Sequence, residues 1–140
     1  MIRDTFGPAA AIALAILAIA PAGAHHSIAK FDGRRVVRIS GLVTDFRWVN
    51  PHASIAFDSP GTESAGGGHW IVEMQAPTTL MGEGWRRNSL SIGDQITVFA
   101  NPLREVDPSA PSHRGLYVGI ILPGGRMLGR VEEQDSKGDN

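Results

Sequence analysis

The chain lacks cysteine altogether among its 140 residues. This absence excludes disulfide bonds, thiolate metal sites, a cysteine nucleophile and a lipoprotein anchor. An excess of charge of one sign is also missing, because 13 Lys and Arg residues balance 14 Asp and Glu residues to a net charge of −1. Without a basic face, neither a nucleic-acid partner nor binding to a membrane surface is expected.

Recognisable catalytic motifs are absent as well. The sequence has no nucleophile elbow, phosphate-binding loop, HExxH helix or convincingly spaced carboxylate pair. The adjacent residues His26 and Ser27 do not form a dyad, since neighbouring side chains of an extended chain point to opposite sides. We therefore expect a protein without enzymatic activity.

The N-terminus carries an apolar run, residues 9–20, that is too short for a membrane-spanning helix of about 20 residues. Pro21 and the small residues 22–24 follow it, the arrangement of a secretory signal peptide. Residues 1–24 are therefore predicted to be removed on export, which places the mature protein in a bacterial periplasm without a membrane anchor. The mature chain then begins with His25; cleavage two residues earlier would make it begin Gly-Ala-His.

The mature chain has the length of one domain. Residues 25–34 are predicted to be a lead-in segment and residues 35–130 a single barrel domain. Within this domain, runs rich in β-branched and aromatic residues alternate with Gly-, Pro- and Ser-rich turns. Residues 131–140, VEEQDSKGDN, are polar and predicted to be disordered.

Five to six strands are predicted from the alternation of apolar and polar residues. The first, residues 35–50, is long and is expected to be bent or bulged at Gly41. In the third strand, Trp70 and Val72 point one way, and Glu73 points the other. The strands after the first are predicted within residues 53–58, 69–75, 91–103, 116–122 and 126–130.

A short helix is predicted at residues 78–83, between the third and fourth strands. Pro77 suits its first turn and Gly84 ends it. Five antiparallel strands with a helix in this position are typical of the OB fold. The predicted fold class is therefore all-β with one short helix, a small OB-like antiparallel Greek-key barrel. A short-stranded sandwich would give a similar order of elements.

The chain has three tryptophans, which are interpreted as core residues rather than as stacking platforms for a ligand. Trp48 and Trp70 share strand faces with other apolar side chains, which favours core packing. Trp85 follows Gly84 and is predicted to close one end of the barrel.

Four short motifs lie along the chain: His25-His26-Ser27, Asn50-Pro51-His52, Val72-Glu73-Met74 and Gly84-Trp85. Together with the stretches GWRRNSLSIGDQITV and LPGGR, they resemble a family of small exported bacterial proteins that is filed as a domain of unknown function. The similarity runs from about residue 24 to residue 126, and His69 and His113 lie outside the pattern. The resemblance implies a periplasmic single-domain β-barrel and no particular activity.

A mature chain that begins with His25 offers its terminal amine and imidazole as a chelating pair. Nitrogen ligands of this kind bind Cu(II) more tightly than other divalent ions. His52, which follows an Asn-Pro turn at a strand end, is a further candidate ligand, with His26 or Glu73 assisting. The sequence thus predicts a Cu(II) site from these four residues. With the earlier cleavage, a Gly-Ala-His terminus would bind Cu(II) or Ni(II) in a square-planar site.

Each candidate ligand also has an interpretation without a metal. The adjacent histidines would belong to a solvated terminus, His52 would bond a carbonyl near its turn, and Glu73 would be an exposed strand residue. The protein would then be an interaction module that binds a periplasmic protein or a small ligand on its barrel face or on the loops 59–68 and 104–115. A third alternative is an accessory subunit of a periplasmic redox enzyme.

Overall fold

Alternating apolar and polar residues form six strands in residues 28–130, the part of the chain that the computed structural model describes. One short helix, α1, lies between the third and fourth strands, where the sequence predicts it. The elements are β1 (Val37–Arg47), β2 (Ser54–Ser59), β3 (Gly68–Glu73), α1 (Pro77–Gly82), β4 (Gln95–Pro102), β5 (His113–Ile121) and β6 (Met127–Gly129).

The strands form one sheet in the order β3-β2-β1-β4-β5-β6, and an additional pairing joins β3 to β5. This pairing closes β1, β2, β3, β5 and β4 into a five-stranded barrel, while β6 extends the sheet beside β5. The predicted fold, a small OB-like barrel with a helix between the third and fourth strands, is confirmed. Closure leaves few unpaired strand edges in this part of the chain.

The closing pair is the one exception to the predicted antiparallel arrangement. Trp70 lies opposite His113 and Glu73 opposite Leu116, so β3 and β5 run parallel. Parallel neighbours need a long crossover between them. Here α1 and β4 lie between β3 and β5 in sequence and provide that connection, so β3 and β5 can pair in parallel.

The second half of β1 contains a β-bulge. Val43 lies opposite Phe57 in β2, and Asp45 lies opposite the next residue, Ala56, so Thr44 has no partner in β2. A bulge inserts one extra residue into a strand and shifts the alternation of its side chains.

The bulge decides which residues of β1 reach the surface. Asp45 and Arg47 are exposed, whereas Phe46 packs against the core. The irregularity predicted at Gly41 therefore lies at Thr44 instead. Gly41 pairs regularly, and it is needed because a Cβ there would collide with the backbone carbonyl of the neighbouring strand β2.

Helix α1 begins and ends for local reasons. Pro77 occupies its first turn, where no backbone donor is required. Gly84 follows with a φ of +100°, a left-handed conformation that glycine adopts without strain. The backbone N–H of Trp85 donates to Leu80, so the chain turns back beneath the helix and carries the Trp85 side chain inward.

All three tryptophans belong to the core, as predicted. Trp85 is fully buried, and its Nε1 donates a hydrogen bond to the Tyr117 hydroxyl at 3.1 Å. Burial raises the pKa of Tyr117 above its ordinary value, and the hydrogen bond from Trp85 only partly opposes this effect. Trp70 is buried beneath the ring of His113, at a centroid distance of 4.8 Å.

Residues 28–34 run along the end of the barrel. Phe31 is buried and forms a β-bridge with Leu103, and the backbone N–H of Arg104 donates to Lys30. Within the described range, no helix has both the length and the apolar character needed to cross a membrane.

Candidate functional site

A groove of about 450 Å³ lies on the outer face of β1, β2 and β3. Its floor includes Ser54 and Ala56, because outward-facing positions of β2 carry small side chains. Longer side chains from the neighbouring strands line its sides, among them Arg47 and Ile71. We refer to this feature as the β2 groove. Its shape follows directly from the alternation of large and small residues on adjacent strands.

One row of paired residues crosses the groove with opposite charges at its two ends. Asp45 in β1 lies opposite Ala56, Ala56 lies opposite Ile71, and Ile71 lies opposite Arg114 in β5. Sequence reasoning missed both ends of this row. Arg114 falls in a stretch predicted to be a loop, and Asp45 belongs to no motif, although alternation places it opposite the apolar side of β1.

Glu73, a predicted metal ligand, lines the groove and binds two cations. Its Oε1 atom lies 2.8 Å from Lys30 Nζ and 3.4 Å from Arg114 Nη2. The carboxyl side chain is only 21% exposed, so these ion pairs are partly shielded from water. Glu73 is therefore not the freely exposed strand residue of the metal-free interpretation. A metal ion at this carboxylate would compete with two positive charges.

His52, the second predicted ligand in the described part of the chain, lines the same groove. It follows the Asn50–Pro51 peptide, which is cis, and precedes β2. Ser54, two residues later, lies opposite Glu73, so His52 is placed at the Glu73 end of the groove. Its imidazole is exposed and makes no hydrogen bond to any residue between 28 and 130. The carbonyl partner proposed by the metal-free interpretation is thus not found in that range.

His69 occupies the opposite end of the groove and is held by a carboxylate. Its Nδ1 lies 2.7 Å from Oδ1 of Asp58, the residue directly opposite it in β2. An aspartate in this position fixes the orientation of an imidazole ring. His69 is therefore not a neighbour of His52, because the two lie at opposite ends of β2.

Thr44, at the bulge, belongs to the groove lining, and its hydroxyl differs from the exposed polar groups there because it is buried. No hydrogen-bond partner for this hydroxyl is found among the described residues. Such groups are rare in folded proteins, because an unpaired buried hydroxyl costs about 1–3 kcal/mol.

The predicted ligands His25 and His26 lie outside the described residues. Across residues 28–130, no three His, Asp or Glu side chains are grouped closely enough to hold a metal ion. The structure therefore brings His52 and Glu73 into one groove, and a Cu(II) site there requires nitrogen atoms from the chain before residue 28.

Comparison with known proteins gives one match. A family model described as "Family of unknown function (DUF6152)" matches residues 13–110. No curated protein and no solved structure matches the chain. The resemblance to a family of unknown function, which the motifs predict, is confirmed.

Proposed function

We propose that this chain, which belongs to the DUF6152 family of unknown function, is an exported, non-enzymatic binding protein of the periplasm that binds Cu(II). In this proposal, signal cleavage after residue 24 frees the amine of His25. This amine, the His25 imidazole and the imidazole of His52 are the copper ligands, with His26 as a further nitrogen donor. Three nitrogen ligands of this kind suit Cu(II).

The ion pair between Lys30 and Glu73 carries the proposal. It ties the segment that follows the predicted terminus to the end of the groove where His52 lies. His25 precedes Lys30 by five residues, a length of chain that spans at most about 18 Å when extended. The covalent chain therefore allows the mature terminus to reach the imidazole of His52.

The motif that contains Glu73 suggests a copper ligand, but in this arrangement Glu73 is an anchor for the N-terminal segment. Its carboxylate already binds Lys30 and Arg114. It assists copper binding by holding the N-terminal segment at the groove, and not by replacing a nitrogen ligand.

The test uses protein that has been secreted with its own signal peptide. Its intact mass identifies the first residue, and titration of the metal-free protein with Cu(II), followed by electron paramagnetic resonance, gives the affinity and the nitrogen coordination. We expect a chain that begins at His25 and binds one Cu(II). Replacing His52 by Ala should weaken binding at least about tenfold, and H113A should not.

A modified chain tests the terminal amine. Acetylation of the His25 amine removes this ligand and leaves both imidazoles in place, so copper affinity should fall as it does in H52A. Equal affinity of the wild type, H52A and the chain acetylated at His25 would overturn the proposed site. Circular dichroism of each variant establishes that the barrel is folded.

A specific observation also favours the second candidate function, an interaction module that binds a small ligand on the barrel face. The β2 groove, at about 450 Å³, has the size of a ligand site, and it lies on described residues alone. In that case ligand binding would be independent of copper and of the residues before position 28.

A further inference from the structure

The row that crosses the β2 groove combines an acid and a base with an apolar middle. Asp45 lies at the β1 side, Arg114 at the β5 side, and Ala56 and Ile71 lie between them. The Asp45 side chain forms no ion pair or hydrogen bond within residues 28–130. Its negative charge is exposed and available to a ligand cation.

Arg114 keeps binding capacity although it pairs with Glu73. Its Nη2 atom lies 3.4 Å from the Glu73 carboxylate, and its side chain is 44% exposed. A guanidinium group has five N–H donors in a planar fork, so donors remain for a second carboxylate. The β5 side of the groove can therefore bind an anion.

The separation of the two strands indicates the size of the ligand. Asp45 and Arg114 stand on strands that are separated by β2 and β3, so their backbones are about 14 Å apart. An extended peptide of two or three residues spans roughly 7–11 Å and fits within that distance.

Two further features narrow the chemistry of the ligand. No tryptophan lines the groove, since all three are core residues, and the base- or sugar-stacking surface typical of ligand-binding OB folds is therefore missing from this face. The hydroxyl of Thr44 is buried, so the groove offers no accessible side-chain hydroxyl at the bulge, and recognition depends on the charged groups at the two ends of the row.

We propose that the β2 groove binds a short peptide of two or three residues across its floor, with the peptide ammonium beside Asp45 and the peptide carboxylate beside Arg114. Ala56 and Ile71 contact the middle of the peptide. Asp45, Ala56 and Ile71 have no part in the copper site, whereas Arg114 contacts Glu73, so Asp45 is the residue that distinguishes the two sites.

The probe is trialanine, titrated into the metal-free mature protein in the presence of a chelator, so that copper cannot bridge protein and peptide. Chemical shifts of the backbone amides are followed by NMR. We expect saturable shifts at Thr44, Ala56 and Ile71. N-acetyl-trialanine and trialanine amide each lack one terminal charge and should bind about tenfold more weakly than trialanine.

Replacing Asp45 by Asn tests the orientation of the peptide. D45N should bind trialanine and its N-acetylated form equally, while it still prefers trialanine to the amide. The matched control is E105Q, an exposed acid outside the groove, which should behave as the wild type. D45N should also bind Cu(II) normally, which separates this site from the copper site.

Three results would overturn the proposal: equal affinity for the three peptides, shifts that map away from the groove, or no shift at millimolar trialanine. None of them bears on copper binding, whose test uses a different variant and a different probe.

Discussion

The indole Nε1 of Trp85 donates a hydrogen bond to the hydroxyl of Tyr117 at 3.1 Å, and both side chains are buried. Trp85 follows α1, and Tyr117 lies in β5, so the bond joins the helical connection to the strand that closes the barrel. A buried pair of this kind contributes to stability mainly because either partner would otherwise be left unpaired.

Tyr117 should make the stability of the protein sensitive to alkaline pH. Burial raises the pKa of its hydroxyl above the ordinary value of 10.0. The folded state therefore favours the neutral phenol: the stabilisation is fully present below pH 10.0 and is lost as the pH rises towards the pKa of the folded protein. Because Tyr117 is the single tyrosine of the chain, phenolate absorbance reports this residue alone.

In the native protein, phenolate absorbance should appear at a clearly higher pH than in urea-denatured protein. Stability should fall with pH above 10.0 in the wild type and fall less in Y117F. Y117F should also lose about 1–3 kcal/mol of unfolding free energy at neutral pH, because Trp85 loses its acceptor. Coincident native and denatured titrations would contradict this account.

Two glycine-to-alanine substitutions should change stability in opposite directions. At Gly41, a Cβ would collide with the carbonyl of Asp58 in the adjacent strand, so G41A should lower the unfolding free energy by about 1–3 kcal/mol. At Gly82, in α1, an added Cβ would meet no other atom within 4 Å, so G82A should raise the unfolding free energy by about 0.5–1 kcal/mol. Urea denaturation followed by tryptophan fluorescence measures both, and destabilisation by G82A would be inconsistent with the open surroundings of that position.

Replacing Lys30 by Ala should lower copper affinity clearly while changing the stability of the protein only slightly. The Lys30–Glu73 pair is partly exposed, so its loss should cost at most about 1 kcal/mol of unfolding free energy. Copper affinity should nevertheless fall several-fold, because the side-chain contact between Lys30 and Glu73 is lost, while Phe31 and the backbone bond from Arg104 still hold the segment at the end of the barrel. R87A, which removes an exposed arginine outside the groove, serves as the control. Unchanged copper affinity in K30A would argue against the anchoring role of Glu73.

The sequence predicts the barrel well because its information is local. Alternation places Trp70 and Val72 inward, and Pro77 with Gly84 limits α1. These signals depend on neighbouring residues alone. The parallel pairing of β3 with β5 depends on three-dimensional closure, and strand patterns contain no direct indication of it.

The sequence predicts the candidate site less completely for the same reason. His52 and Glu73 belong to recognisable motifs, and the structure places both in one groove. Arg114 and Asp45 carry no motif; their roles arise from a cross-strand row and from a bulge at Thr44. A bulge changes the facing of every residue after it within the strand, and composition gives no sign of where one occurs.

The parallel β3–β5 pairing also determines when the barrel can form. The pairs β1–β2, β2–β3 and β4–β5 join strands that follow one another in sequence, and β1 pairs with β4 as soon as β4 is present. The outer edge of β3, in contrast, stays unpaired until residues near His113 are available. Contacts between residues so distant in sequence raise the contact order and slow folding. The barrel of a chain that is still being synthesised therefore remains incomplete until β5 is made, and a truncation before that strand would expose the edges of both β3 and β4 to aggregation.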